Sequence, residues 1–178
     1  MSSKIESAES AASGQAEVGI RIVLGDGLEL ITILALVDIR KAFLHAMDRE
    51  TYRQDVFNDL VIMPTSPNIE GLPYHKTVPH YAFDLNEARA HLQKAWGGRL
   101  WDQGFKMVIT YNSGNAMREA AAMMMAENIM SLNPKFSIEI RNVEWKDYLV
   151  RYRSFRYPIF ITGWAADYAD PHNFLYTF

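Results

Sequence analysis

Three features of this 178-residue chain point to a parallel α/β domain. Between residues 105 and 164, strand-like apolar runs alternate with helix-like ones in β-α-β-α-β order, which implies parallel strands joined by right-handed crossovers. The length suits one domain with a real core and is short for two. Apolar residues make up 49% and charged residues 22%, the balance of an ordinary globular protein.

Residues 1–16 are rich in Ser, Ala and Glu and read as a disordered leader, because they offer little apolar surface to offset the entropy of ordering. In 17–36, Ile20, Ile22 and Leu24 alternate, Gly25-Asp26-Gly27 supplies a turn, and Leu28, Leu30 and Thr32 alternate again, so a β-hairpin is expected. From Asp38 the period becomes helical. Ile39, Phe43, Met47, Tyr52 and Val56 can share one face, with a break near Asp48–Thr51. Residues 61–82 hold four of the seven prolines and read as an extended loop, long enough to suggest a function. A helix then opens with Asp84 and Glu87 in a capping-box spacing, buries Leu85, Ala88, Leu92 and Ala95, and stops at Gly97-Gly98.

The second half supplies the parallel unit. "FKMVITYN" (105–112), "FSIEIRNV" (136–143) and "PIFITGW" (158–164) read as strands. "NAMREAAAMMMAENIMSL" (115–132) and "WKDYLVRYRSF" (145–155) read as helices. Met117, Ala121, Met124, Met125, Ile129 and Leu132 form one stripe, expected to be core packing and not a soft-metal site. Trp145, Tyr148 and Tyr152 read as packing of helix on sheet, with hydroxyls at the rim. Ligands of such sheets bind beyond the carboxyl ends of the strands.

Composition also narrows the function. A net charge of −3 without a basic stripe argues against a nucleic-acid partner. The absence of cysteine removes disulfides, thiolate metal sites and a cysteine nucleophile. No apolar stretch reaches the roughly 18 residues of a membrane span. "MSSKIESAESAASGQAE" lacks the basic and apolar regions of a secretory signal.

The polar stretch "GWAADYADPHNF" (163–174), at the carboxyl end of the last strand, is the best candidate site. Asp167 either offers a carboxylate to a cationic ligand beside the indole of Trp164, or caps the next helix while Trp164 fills core. Spacing alone favours the second. Asp170 before Pro171 reads as a helix cap. Asp167, Asp170 and His172 do not match a metal-ligand signature, so no metal or other cofactor is expected. His45, His75, His80 and His91 are scattered in sequence, and no nucleophile–base pair stands out. "NSGN" (112–115) is a strand-to-helix turn in which Asn115 or Ser113 caps, with Asn112 and Ser113 as secondary polar contacts at the sheet edge.

Four segments in order carry a family resemblance: "VDIRKAFLHAMDRE" (37–50), "YAFDLNEARAHLQKA" (81–95), "WKDYLVRY" (145–152) and "GWAADYADPHNFL" (163–175). Together they resemble the extracellular solute-binding proteins of ABC importers, peptide/nickel class (family 5). The resemblance implies a two-lobed periplasmic-binding-protein-like fold. Residues 37–178 would be part of its carboxyl-terminal, three-layer lobe, and residues 1–36 match nothing placed in the family. It also implies a peptide or related solute as ligand, a membrane permease as partner of the full-length receptor, no catalysis, and a periplasmic or extracellular location. Carried over to this chain, Asp167 would pair with a ligand α-amino group and Trp164 would line the pocket, with Tyr168 a weaker contact. This reverses the preference drawn from spacing. The alternative is a folded fragment or interaction module without transport activity, self-associating through exposed edges.

Overall fold

The computed structural model describes residues 37–78, 80–154 and 156–176. The leader (1–16) and the expected hairpin (17–36) lie outside the described residues. Helices α1 (Val37–His45) and α2 (Arg49–Phe57) are separated where the sequence suggested a break. Asp48 makes the break, its carboxylate accepting from the N–H of Thr51 at 3.1 Å and from its hydroxyl at 2.8 Å. Helix α1 buries Ile39, Ala42 and Phe43 against α3 (Leu85–Lys94), which returns Ala88 and Leu92.

Asp84 caps α3 by accepting from the amides of Asn86 (2.8 Å) and Glu87 (3.1 Å). The reciprocal half of the expected capping box is not made. The N–H of Asp84 donates instead to the carbonyl of His45 at 3.0 Å, the last residue of α1. A helix-terminal carbonyl needs a donor, and this tertiary bond supplies one while leaving Glu87 exposed.

Helix α3 ends at a 3₁₀ turn over Ala95–Gly98, where Trp96 (φ 54°) and Gly97 (φ 62°) are left-handed. The short α4 (Arg99–Gln103) follows and leads into Gly104. Three strands then form a parallel sheet of order β2-β1-β3: β1 (Phe105–Asn112), β2 (Phe136–Val143) and β3 (Ile159–Phe160). β1 pairs with β2 along its whole length, from Phe105 opposite Phe136 to Asn112 opposite Val143. The chain moves to one side of β1 through α5 (Ala116–Leu132) and crosses back to the other through α6 (Trp145–Arg153). Right-handed crossovers in opposite directions put the two helices on opposite faces, giving a three-layer arrangement. The central strand accordingly buries Ile109, Thr110 and Tyr111 in succession, whereas the edge strand β2 alternates buried Phe136 and Ile138 with exposed Ser137 and Glu139.

Three elements depart from expectation. β3 is shorter than 158–164. With Ile109 opposite Ile159 and Thr110 opposite Phe160, Thr162 would already face Asn112, the last residue of β1, so β1 offers Gly163 and Trp164 no partner. α6 ends at Arg153, two residues early, where Ser154 caps it. The buried stripe of α5 is Ala122, Ala126 and Ile129, flanked by Ala121 and Leu132, while Met117 is half exposed. Five residues at about 100° each set Met117 some 140° round the helix from Ala122. The run "AAAMMMA" is apolar on all sides and does not choose a face, so the small alanines, which allow close approach to the sheet, take it.

Among the described glycines, Gly104 carries the tightest backbone constraint. Its φ of 76° and ψ of −176° are essentially confined to glycine. A Cβ there would lie 2.4 Å from the carbonyl oxygen of Lys135. Gly104→Ala should therefore cost more than about 2 kcal/mol, read as a lower urea midpoint at unchanged m-value. A loss below 0.5 kcal/mol would contradict this packing.

Candidate ligand-binding site

The carboxyl edge of the sheet is built from the turns after β1 and β2 and the segment after β3. Asn115, not Ser113, caps α5, accepting from the amide of Arg118 at 2.9 Å. The Arg118 guanidinium turns back and donates to the side-chain carbonyl of Asn112. It also lies 6.0 Å from the Trp145 ring centre and 3.2 Å from where a Cβ on Gly163 would sit. A part-buried cation thus stands between the end of β1 and the segment leaving β3. Ser113 donates its hydroxyl to Glu144 at 2.9 Å and its N–H to Val143 O at 2.8 Å, tying the first turn to the second. Asn112 and Ser113 are engaged with protein partners.

After β3, the N–H of Ile161 donates to Thr110 O and its carbonyl accepts from the Tyr148 hydroxyl, both at 2.9 Å. Tyr148 is completely buried, so its hydroxyl is not at a rim; it spends its proton steering the chain out of the sheet. Its ring stacks with those of Trp145 (5.7 Å) and Tyr157 (5.3 Å). Next comes Trp164, 45% exposed, whose indole N–H donates to Oδ1 of buried Asn173 at 2.6 Å. Asn173 belongs to α7 (Pro171–Leu175), with Pro171 at its first position and Asp170 as its cap, accepting from the His172 amide at 2.8 Å. The indole N–H is held by protein while nearly half of the residue remains exposed.

Asp167 lies in the bend between Trp164 and α7; it is exposed and pairs with no cation or amide among the described residues. Tyr168 is half exposed, its hydroxyl 3.1 Å from Nδ1 of His172. Asp170 and His172 are therefore engaged in local hydrogen bonds, and the structure does not gather them with Asp167 into one ligand sphere.

A cavity of about 770 Å³ is lined elsewhere, by Leu44, Asp48 and Arg49 and by the Pro-rich loop from Met63 to Phe83. None of Trp164, Asp167, Tyr168, Asn112 and Ser113 lines it. The loop suspected of function thus has a concave face of its own. Arg118 was missed in the sequence because an arginine in the first turn of a helix carries no signal until the turn geometry aims it at the sheet edge. The convergence of His45 and His91, whose rings lie 5.8 Å apart, was hidden by their separation along the chain.

The model of the bacterial extracellular solute-binding proteins, family 5 Middle, matches residues 21–178. The chain belongs to this family. Its match begins inside the segment read as a hairpin. The chain is 26% identical over 152 residues to the oligopeptide-binding protein OppA of Bacillus subtilis, covering 80% of this chain and 27% of that protein. It is 29% identical over 146 residues to heme-binding protein A of Haemophilus influenzae, covering 78% and 25%. The crystal structure of a periplasmic oligopeptide-binding protein, OppAIV of Borrelia burgdorferi, superposes with a TM-score of 0.68 at 25% identity, covering 90% of this chain and 32% of that one. The family 5 chain spans about a quarter to a third of the length of these relatives. Among its described residues, no helix is long and apolar enough to cross a membrane.

Burial pushes the phenols of Tyr148 and Tyr157 above their ordinary value. The folded state therefore keeps these protons longer than the unfolded chain. Their contribution to stability is complete below about pH 10 and is lost as pH rises beyond it. Tyr148→Phe should cost about 1 kcal/mol at pH 7 through the lost bond to Ile161. It should also weaken the further loss between pH 10 and 11. Urea unfolding at the two extremes checks both, and an alkaline loss equal to that of the parent would remove Tyr148 from this account.

Proposed function

We propose that the segment from Trp164 to Asn173 forms one wall of a binding site for peptides or chemically related solutes. In this reading the chain contributes the carboxyl-terminal lobe of an importer's receptor and performs no chemistry on its ligand. The carrying observation is that one short segment holds both Asp167, exposed and without a partner among the described residues, and Trp164, whose indole N–H is fixed by Asn173 while the residue stays 45% exposed. A carboxylate without a partner among the described residues can accept a charge-assisted hydrogen bond from an α-ammonium group, worth about 1.5–3 kcal/mol. The fixed indole face adds apolar area or a cation–π contact without a large ordering cost. The position beyond the strand ends agrees with where parallel sheets hold ligands.

Two relatives carry oligopeptide-binding names and one a heme-binding name, so peptide is the first ligand class to test. The permease of an ABC importer is the partner this role requires, and a periplasmic or extracellular location goes with it. A charged amine held from one side stays half solvated. We expect short unblocked peptides to bind this chain more weakly than about 1 mM, or about −4 kcal/mol. A tripeptide titration followed by NMR should move the indole resonance of Trp164. Asp167→Asn or N-acetylation of the peptide should abolish that movement; an acetylated peptide that binds as well as the free one would end the assignment of Asp167.

A second reading, self-association without transport, is favoured by Leu60, Ile62 and Tyr74, each 85% exposed or more. The edge of β2, which carries no further strand among the described residues, argues the other way, because Glu139 and Arg141 pair there at 2.7 Å and charge blunts strand addition. Light scattering decides between them. The second reading expects a mass that climbs with concentration and returns to 20.4 kDa in Ile62→Glu; a constant monomer mass excludes it.

A further inference from the structure

The packing of α1 against α3 brings together three residues that are remote in sequence. His45 is in the last turn of α1, and Glu87 and His91 are one turn apart on α3. One ligand-capable atom from each of the three lies within 4.8 Å of the other two. The imidazole planes are inclined by only 19°.

Each ring already has the partner that a metal-bound histidine uses on its far side. Nδ1 of His91 lies 2.7 Å from Oδ1 of Asp38, and Nδ1 of His45 lies 2.8 Å from the carbonyl oxygen of Ala82. A carboxylate and a peptide carbonyl can only accept, so Nδ1 carries the hydrogen in both neutral rings. The lone pair is left on Nε2. Histidines that ligate metals donate their other N–H to a carboxylate or a backbone carbonyl in this way, which fixes tautomer and orientation. The carboxylate of Glu87 is exposed, and no cation among the described residues pairs with it.

We propose that His45, Glu87 and His91 bind one divalent transition-metal ion of the zinc type, with the remaining position open to water. Two imidazole nitrogens and one carboxylate oxygen suit Zn²⁺, Co²⁺, Ni²⁺ or Cu²⁺, whereas Mg²⁺ and Ca²⁺ call for oxygen throughout. Metal–ligand bonds of about 2.0–2.1 Å put tetrahedral ligand atoms about 3.3 Å apart. Side-chain rotation closes the present spacing, and exposed Glu87 has the most freedom to move. The ion would fasten α1 to α3 and, through the bond from His45 to Ala82, hold the end of the Pro-rich loop beside its cavity. None of these residues belongs to the Trp164–Asn173 segment, so the proposal stands apart from the peptide reading.

The metal-free full chain should be titrated with Zn²⁺ while its melting temperature is followed, and with Co²⁺ while visible absorption is followed. The expected result is one equivalent bound, cobalt bands of low-coordinate geometry, and a rise of roughly 5–10 °C with zinc at a hundredfold excess over Kd. Glu87→Gln, a surface change, should leave the metal-free melting temperature unchanged and weaken zinc at least about tenfold. Asp38→Asn should weaken it about 10- to 100-fold by releasing the His91 ring. The double variant His45→Gln/His91→Gln should bind none at this site. If that double variant does not fold, Glu87→Gln and the cobalt spectrum still decide. Zinc that leaves the melting temperature unmoved overturns the proposal. So does a shift of equal size in Glu87→Gln and the double variant, which would place the ion on other surface imidazoles.

Discussion

The end of β1 at Asn112 is the constraint on which the rest of the molecule depends. β2 is in register with it to Val143, so both strands release their chains at the same edge. β3 is paired through only two residues, and its register exhausts β1 just before Gly163. The polar segments that follow the three strands are therefore delivered to one place: Asn112 and Ser113 from the first turn, Glu144 from the second, Trp164 to Asp170 from the third. A parallel sheet achieves this because all its strands point the same way. An antiparallel sheet would have scattered the three segments between two edges.

The edge is also braced from below. Tyr148 gives its hydroxyl to Ile161 and occupies the space between α6 and the departing chain, while Arg118 closes the gap beside Gly163. A glycine is useful at 163 because any side chain there would press on the guanidinium. Neutral Tyr148 and charged Arg118 share one neighbourhood with different duties. The tyrosine satisfies a carbonyl that has left the ladder, and the arginine pairs with an amide oxygen at the end of the ladder. The exposed carboxylate of Asp167 takes no part in these contacts.

The parallel unit was legible because its strands and helices are long and regularly spaced. Residues 105–112 and 136–143 have the strand bounds their apolar pattern implies. Asp84 was legible as a cap for the same local reason, whereas the exchange of its N–H for the carbonyl of His45 was not, since that partner comes from another helix. The exposed Met117 shows the limit of periodicity where a helix is apolar all round: volume and sheet contact choose the face. The shortness of β3 depends on pairing register, which no single strand encodes. At the candidate site, Trp164 and Asp167 were marked by their chemistry at a strand end. Arg118 and the meeting of His45 with His91 depend on tertiary geometry and left no local trace.

The difference between one wall and two follows from dielectric screening. Opposite charges 4 Å apart attract by about 1 kcal/mol in bulk water and by about 4 kcal/mol at the effective dielectric constant of a protein surface. An amine that meets Asp167 from open solvent falls toward the first value. The same amine covered by a second surface moves toward the second, without any change in this chain. Apolar contact with the Trp164 face behaves alike, because half of the ligand's surface still meets water until something closes over it. In the proposed site, selection would rest on an exposed carboxylate beside an indole whose N–H is held by Asn173. How tightly it is held is governed by whatever removes the remaining water.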